Sequence, residues 1–448
     1  MSEDIAIKLT RPVPRYTSYP TAPHFHTGIG QNQYLTWLGE LAEDAEVSLY
    51  LHLPFCDRLC WFCGCHTKQT NRYSPITVYL EAMAAEIRTI GAAVGNRPVT
   101  AVHWGGGSPS LMSAQDIART TEMLHEAFNF AEQVTFSVEL DPNDMSDHKY
   151  AAWAAAGLNR ASIGVQDFDP RVQQAINRIQ TFEQTRHVVQ SVRAVGVTSL
   201  NIDMLYGLPH QTLEGAVNTA RQVASLRPER IALFGYAHVP WMKKHQGMID
   251  VASLPDALER FRQSQAAAAE LVAQGYERIG FDHFALPHDS LAHASRTGRL
   301  HRNFQGYTVD SHAALIGLGA SAIGRLPQGY IQNVVSTHEY MRRALDGRGA
   351  VEKGVALTDD DRVRAYAIER LLCDFALDFD DLRNKFGADA EPVIDDAIAA
   401  VADDPNHIAV IHGQRLDVPE NRRSFVRSLA ACLDAYLQLG PARYSRAV

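Results

Sequence analysis

A cationic surplus and long apolar runs are both missing from this chain. Its 448 residues carry 42 Lys and Arg against 51 Asp and Glu, a net charge of −9. That balance argues against a broad surface for nucleic acid or anionic membrane, which needs massed cations, and leaves room only for a local basic pocket. No run approaches the ~20 apolar residues of a membrane-spanning helix. The opening stretch MSEDIAIKLTRPVPRYTSYP has no basic-then-apolar leader pattern. The expectation is a soluble, cytoplasmic protein with no nucleic-acid partner and no membrane span. Low-complexity segments are absent too. Cysteine is scarce, six in all, and four of the six fall within residues 56–65. In a reducing compartment such a gathering binds a metal or a cluster more readily than it forms disulfides. Cys373 and Cys432 stand alone and read as small buried apolar groups.

What is present is a repeated strand-then-helix unit. Apolar, partly β-branched runs recur at EVSLYLHLPF, VTAVHW, VTFSVEL, RASIGVQ, SLNIDMLY and RIALFGYAH. Helix-like stretches lie between them, with start signals at Ser74 before Pro75, Ser113 ahead of Asp116, Ser146 and Thr212, and stops at Gly157 and Gly275. Strands alternating with helices imply an α/β fold with a parallel sheet, doubly wound or curled towards a barrel. The strand ends favour the barrel. Cys56 onward, GGGSPS, Glu139 to Pro142, Gln166-Asp167 and Asp203 are polar or glycine-rich, and barrels build their chemistry at that mouth. The expected division is an arm over 1–35, a catalytic domain over 36–355, and a mostly helical C-terminal domain with a short hairpin over 356–448. The arm reads as either an ordered extension or a loose tail.

The spacing Cys56-x3-Cys60-x2-Cys63 admits three occupants. Structural zinc wants four ligands, and no second cysteine pair exists to supply them. A redox dithiol needs only Cys60 and Cys63, which leaves the other thiols unexplained. An iron–sulfur cluster fits best, since soft thiolates suit iron and short spacings wrap one cube. Three ligands leave one iron open to coordinate a substrate or cofactor. Cys65 reads as a nearby thiol outside the ligand set.

These residues resemble the radical S-adenosylmethionine (SAM) enzymes. The cysteine loop follows an apolar strand and carries Phe62 before its last cysteine, and HWGGGSPS (103–110) resembles the superfamily's glycine motif. The match narrows with PRYTSYPTA (14–22), GVQDFDPRVQQAINRIQ, NIDMLYGLPHQT and LHRNFQGYT. Together they resemble the oxygen-independent coproporphyrinogen III oxidase family across nearly the whole chain.

The resemblance implies a partial (βα)6 barrel and a radical decarboxylation. A reduced 4Fe-4S cluster splits SAM, the resulting 5′-deoxyadenosyl radical takes a hydrogen from a propionate of coproporphyrinogen III, and loss of carbon dioxide together with transfer of one electron to an acceptor leaves a vinyl group. Two propionates react, so two SAM molecules are consumed per protoporphyrinogen IX and two are implied per chain. The implied partners are coproporphyrinogen III and an electron donor such as a flavodoxin-type reductase system, with the chain a monomer. Cys56, Cys60 and Cys63 would ligate iron. Tyr50, Gly106, Glu139 and Ile323 would contact the cluster-bound SAM, with Tyr50 and Glu139 on the opposite side of their strands from apolar neighbours. Phe62, Gly107, Ser108, Gln166, Arg178, Asp203 and Ala237 would form a second SAM site. Ser108 departs from the Thr usual in the family but keeps the hydroxyl. For Arg178 the residues alone leave a solvated helix position equally open. Arg15, Arg160 and Arg302 are candidates to meet substrate carboxylates. The competing reading is a related haem-binding chaperone that binds haem without decarboxylation. The arm and Cys65 side with the oxidase.

Overall fold

The computed structural model describes residues 12–437. Within that span the chain divides into two compact units, one built from residues 25–203 and 312–356, the other from residues 12–24, 204–311 and 357–437.

The first unit holds the expected strands. β1 (Val47–Leu53) pairs in parallel with β2 (Pro98–Gly106), placing Tyr50 opposite His103 and Leu53 opposite Gly106. β2 pairs in parallel with β3 (Asn129–Leu140), and β3 with β4 (Arg160–Gln166), where Glu139 faces Ser162. β5 (Ser199–Tyr206) follows, and the chain passes from one unit to the other within it. On the far side of β1, the strand Ala314–Leu318 is parallel, and Ile323–Leu326, Gly329–Asn333 and Val351–Ala356 continue antiparallel.

Each strand has two unlike faces. Leu49, Leu51, Val102, Trp104, Phe136, Val138, Ala161, Ile163, Leu200 and Ile202 are buried on one of them. The alternate positions, Tyr50, His103, Glu139, Ser162, Gly164 and Asp203, are only partly covered. A parallel sheet sealed on both faces reads as continuous apolar runs. Over β1 to β5 this one is apolar on one face and carries polar side chains on the other.

Helices α1 (Ser74–Val94), α2 (Ala114–Ala127) and α3 (Asp147–Ala155) connect the strands. α1 buries Ile76, Tyr79, Leu80, Met83, Ile87, Ile90 and Val94, a three-to-four residue spacing that makes one apolar stripe. Truncating any one of the large fully buried side chains to Ala costs roughly 2–5 kcal/mol. α2 starts where Ser113 accepts the Asp116 amide at 3.1 Å, and the turn after α3 uses Gly157 at φ +98°. Within α1, buried Glu86 accepts from Gly319 N (2.8 Å), Asn333 Nδ2 (2.7 Å) and Tyr340 Oη (2.6 Å), tying the helix to the loop after Ala314–Leu318.

In the second unit, Arg230–Gly235 pairs antiparallel with His283–Ala285, which pairs with Glu277–Ile279. The helix Asp359–Asp374 opens on a capping box between Thr358 and Asp361. Ala376–Asp378, Arg415–Asp417 and Val410–His412 form a small antiparallel sheet, the expected hairpin among them. The arm residues Val13, Tyr16 and Tyr19 belong to this unit's core with Ile368, Leu371, Phe375 and Phe425. Tyr16 Oη donates to Asp434 at 3.0 Å and Tyr19 Oη accepts from Ala435 N at 3.0 Å, so the described part of the arm is ordered. Cys373 is buried as expected. Cys432 corrects the expectation, because it lies exposed on a single 3-10 turn at Ala431–Leu433.

Candidate functional site

The first unit contains a cavity of about 180 Å³ lined by Cys56, Cys60, Cys63, Cys65, Phe62 and the polar ends of β2 to β5. Its rim is the cysteine loop, and the fold fixes that loop at several points. Phe55–Cys56 pairs in parallel with Lys68–Gln69, closing the base. Leu53 O accepts from Gly107 N and Phe55 O from Ser108 N, each at 2.7 Å. Trp61 N donates to Ile176 O, and Asn177 Nδ2 to Leu59 O, both at 2.9 Å. Glycine is required at 107: a Cβ there would lie 2.5 Å from Phe55 O and 2.9 Å from Leu53 O, backbone atoms that cannot yield. Gly106, at φ +110°, places its N–H 3.2 Å from Glu139 Oε2.

Glu139 also takes a hydrogen bond from His103 at 3.3 Å, and His103 stacks on Tyr50 at 5.8 Å between ring centres. Tyr50 Oη meets His52 Nδ1 at 3.0 Å, and His52 Nε2 meets His66 O, on the cysteine loop, at 3.0 Å. Burial raises the Glu139 carboxyl, but the His103 contact and the Gly106 N–H together bring it below the usual range. It is therefore an anion, and at 42% side-chain exposure it faces the open cavity.

Arg178 resolves the contest left by its sequence context. Asp169 caps the short helix α4 (Pro170–Ala175), and Asn177 then turns the chain at φ +54°. Gln173 Nε2 donates to both Asp167 O (2.9 Å) and Gln180 O (2.6 Å), curling the segment inward. Arg178 ends 8% exposed. Its Nη1 donates to Asp141 Oδ2 at 3.0 Å and approaches Cys60 Sγ at 3.6 Å, while Nη2 donates to Gly164 O at 2.7 Å. Its Nε is buried with no partner among the described residues.

Two carboxylates behind the loop are driven apart. Burial raises Asp141, yet Arg178 outweighs it and holds the group below the ordinary range. Asp144, which accepts from Ser108 Oγ at 2.7 Å, is pushed up to about 6 by burial and by Asp141. The thiols of Cys56 and Cys60 are raised by burial first and by neighbouring cysteines next, apart from Arg178's opposing pull on Cys60.

The structure thus gathers Phe62, Gly106, Gly107, Ser108, Glu139, Gln166, Arg178, Asp203 and the three cysteines around one cavity. Tyr50 joins them through His103. Ile323, the first residue of its strand in the same unit, is not among the cavity's lining residues, and Ala237 belongs to the second unit. Sequence reasoning placed Asp141 only within a polar strand end and gave Asp144 and His103 no role. Asp144 could have been suspected from the D-P-N-D run after β3; nothing local in the sequence marked His103.

A parallel sheet whose strand ends carry a three-cysteine loop and a glycine motif is the radical SAM architecture, and the superfamily model matches residues 50–223. The oxygen-independent coproporphyrinogen III oxidase of Bradyrhizobium diazoefficiens is 45% identical over 100% of both chains. Its namesake in Salmonella typhimurium is 38% identical, covering 95% of this chain and 93% of the relative. The solved structure of coproporphyrinogen III oxidase from Escherichia coli, reported as a radical SAM enzyme, matches with a TM-score of 0.89 at 36% identity, covering 95% of this chain and 100% of that one. The chain belongs to the oxygen-independent coproporphyrinogen III oxidase family.

The family uses a 4Fe-4S cluster and SAM, and the donor set here fits such a cluster. Three thiols line one cavity, and burial disfavours the free thiolates of Cys56 and Cys60, so a thiophilic iron centre is what would hold them ionised. The Cys65 N–H donates to Cys63 Sγ at 3.4 Å, the kind of contact that tunes cluster thiolates. No helix among the described residues is long and apolar enough to cross a membrane.

Proposed function

We propose that this chain catalyses the oxygen-independent oxidative decarboxylation of coproporphyrinogen III to protoporphyrinogen IX, turning the ring A and B propionates into vinyl groups in haem synthesis. The carrying observation is one cavity lined by Cys56, Cys60, Cys63, the glycine motif and an anionic Glu139, in a chain 45% identical end to end to a named member of the family. When bound, cluster and SAM supply a one-electron reductive cleavage that generates the hydrogen-abstracting radical.

The chain's own residues do the holding. Cys56, Cys60 and Cys63 would ligate iron, and Phe62 would shield the centre from water. The Gly106 to Ser108 backbone admits SAM close to the strand ends, and the Glu139 carboxylate suits its ammonium group. Tyr50 and Ile323 would complete this first site. A second SAM would be met by Phe62, Gly107, Ser108, Gln166, Arg178 and Asp203, which line the same cavity, giving two per chain. Against that second site, Arg178 Nη1 is taken by Asp141 and Nη2 by Gly164 O and Gln180 Oε1, so Nε is the group left to serve a ligand. In functional terms the arm (1–35) and C-terminal domain (356–448) flank a catalytic domain (36–355). The protein would act as a cytoplasmic monomer fed by a flavodoxin-type reductase system.

The test is an anaerobic incubation with reductant, SAM and coproporphyrinogen III, following products by mass. Stepwise loss of two carbon dioxide units with formation of 5′-deoxyadenosine is expected. Haem binding without SAM cleavage would overturn the reading in favour of a haem chaperone.

A further inference from the structure

The cysteine loop forms part of the surface of the first unit. Cys56, Cys60 and Cys63 are half-buried, whereas Gly64 to His66 at the end of the loop are exposed. Two further segments are bonded to this loop. Lys68–Gln69 pairs with Phe55–Cys56, and Gln69 Nε2 donates to Asp57 O at 3.1 Å. On the other flank Asn177 Nδ2 donates to Leu59 O and Trp61 N to Ile176 O, both at 2.9 Å.

These flanks carry charge that the fold leaves unpaired. Lys68, Arg72 and Arg171 are exposed, and none of them makes an ion pair or a side-chain hydrogen bond among the described residues. The nearby carboxylates have other partners. Asp57 takes hydrogen bonds from Arg58 at 3.1 and 2.8 Å, and Asp169 caps α4 by accepting from the Arg171 and Val172 amides. Asp116 accepts from the hydroxyls of Tyr73 and Ser113. The same stretches leave two large apolar side chains in water, Ile179 at 54% and Tyr73 at 39% exposure. Ile179 follows Arg178, whose Nη1 approaches Cys60 Sγ at 3.6 Å.

In a chain of net charge −9, unpaired cations gathered around one loop select an anionic partner at that place. Three are too few for a nucleic acid, whose binding draws on roughly six to ten phosphate contacts. Apolar groups among charges suit a protein surface, and redox encounters use the smallest such interfaces, below about 1,200 Å².

We propose that the face formed by the cysteine loop, residues 68–73 and residues 171–179 docks an acidic one-electron donor protein. This rests on the radical decarboxylase reading above, which requires an electron from outside for each SAM cleaved. One electron leaves the donor's reduced cofactor and one enters the cluster; no bond forms or breaks. Lys68, Arg72 and Arg171 steer the encounter, most strongly at low salt.

The probes are a purified flavodoxin, an acidic protein, and reduced methyl viologen, a small cation that needs no docking face. Calorimetry at several salt concentrations measures binding of oxidised flavodoxin, and anaerobic stopped flow measures cluster reduction. The triple variant Lys68→Glu, Arg72→Glu, Arg171→Glu should bind flavodoxin at least about tenfold more weakly at low salt and lose most of the salt dependence. Its reduction by flavodoxin should slow by a similar factor, while reduction by viologen stays the same or quickens. Arg88→Glu reverses an exposed charge on α1, about 21 Å along the helix from Ser74, and should behave like the unmutated chain.

No binding of flavodoxin to the unmutated chain, or equal binding and reduction in the triple variant, would overturn the docking face. So would an equal loss in Arg88→Glu, which would make the effect one of net charge. A matching loss with viologen would mean a disturbed loop, and a raised KM for coproporphyrinogen III under viologen would give the cations to the substrate; either result also overturns it. If the viologen-reduced, unmutated protein forms no vinyl product, the decarboxylase reading fails by itself, and flavodoxin binding still decides the docking face.

Discussion

Arg178 sits between a carboxylate and a thiol: its Nη1 is 3.0 Å from Asp141 Oδ2 and 3.6 Å from Cys60 Sγ. One guanidinium thereby links the end of β3 to the cysteine loop. Both ion-pair partners are little exposed, with side chains at 10% and 13%. Removing one member of a buried pair strands the other charge. Arg178→Met is expected to destabilise the metal-free protein by roughly 3–5 kcal/mol. Arg178→Lys should recover part of that, because a lysine ammonium replaces the charge but not the fork. Denaturant titration of the two variants checks the order.

The cysteines differ in what they hold. Cys60→Ser should abolish vinyl product and strip most iron and inorganic sulfide. Cys65→Ser should leave iron content close to normal, since Cys65 is exposed and contributes its backbone N–H to Cys63. Metal and sulfide analysis of anaerobically purified protein decides. Full iron in Cys60→Ser would remove Cys60 from the ligand set.

Neighbouring glycines should respond unequally. At Gly107 an added Cβ meets backbone within 2.5 Å, whereas at Gly105 the nearest atom, at 2.8 Å, belongs to the Glu139 side chain, which can rotate away. Gly107→Ala should therefore displace the cysteine loop and lose cluster loading. Gly105→Ala should keep iron and weaken SAM binding, because it pushes on the carboxylate. Iron analysis and equilibrium dialysis with SAM distinguish the two.

Asp282 gives a pH signature. Burial would raise it, but Arg302 and His283 bring it down to about 2 from an ordinary 3.8. A depressed carboxylate stabilises the fold above its unfolded value and loses that contribution as pH falls towards the folded one. Asp282→Asn should be less stable at neutral pH, with a pH-dependent part of the gap of about 2 kcal/mol. That part should shrink as the pH is lowered from about 5 towards 2. Urea unfolding at several pH values reads it; a gap constant with pH would show that Asp282 is not held by these partners.

Much of this was legible before any coordinates. Apolar, partly β-branched runs such as SLYLHL and RASIGVQ announced the strands, and strand alternation put Tyr50 and Glu139 on the side away from their apolar neighbours. The cysteine spacing and GGG marked the site because both are local in sequence. Asp141, Asp144 and His103 were not legible, since their importance comes from pairing across strands. The same holds for Glu86, an acidic residue in an apolar helix whose three donors come from residues 319, 333 and 340. Local pattern reports elements; long-range electrostatics appear only when the chain is folded.

The burial of Val13, Tyr16 and Tyr19 among residues from beyond 360 has a bearing on how the molecule is made. The cysteine-bearing unit has all its parts once the ribosome has passed residue 356. The other unit draws on residues 13–19 and on residues as late as 433, so its core can close only after residue 433 has been made. Until then Val13, Tyr16 and Tyr19 lack the side chains they pack against, and the order of synthesis leaves that half of the molecule to fold last.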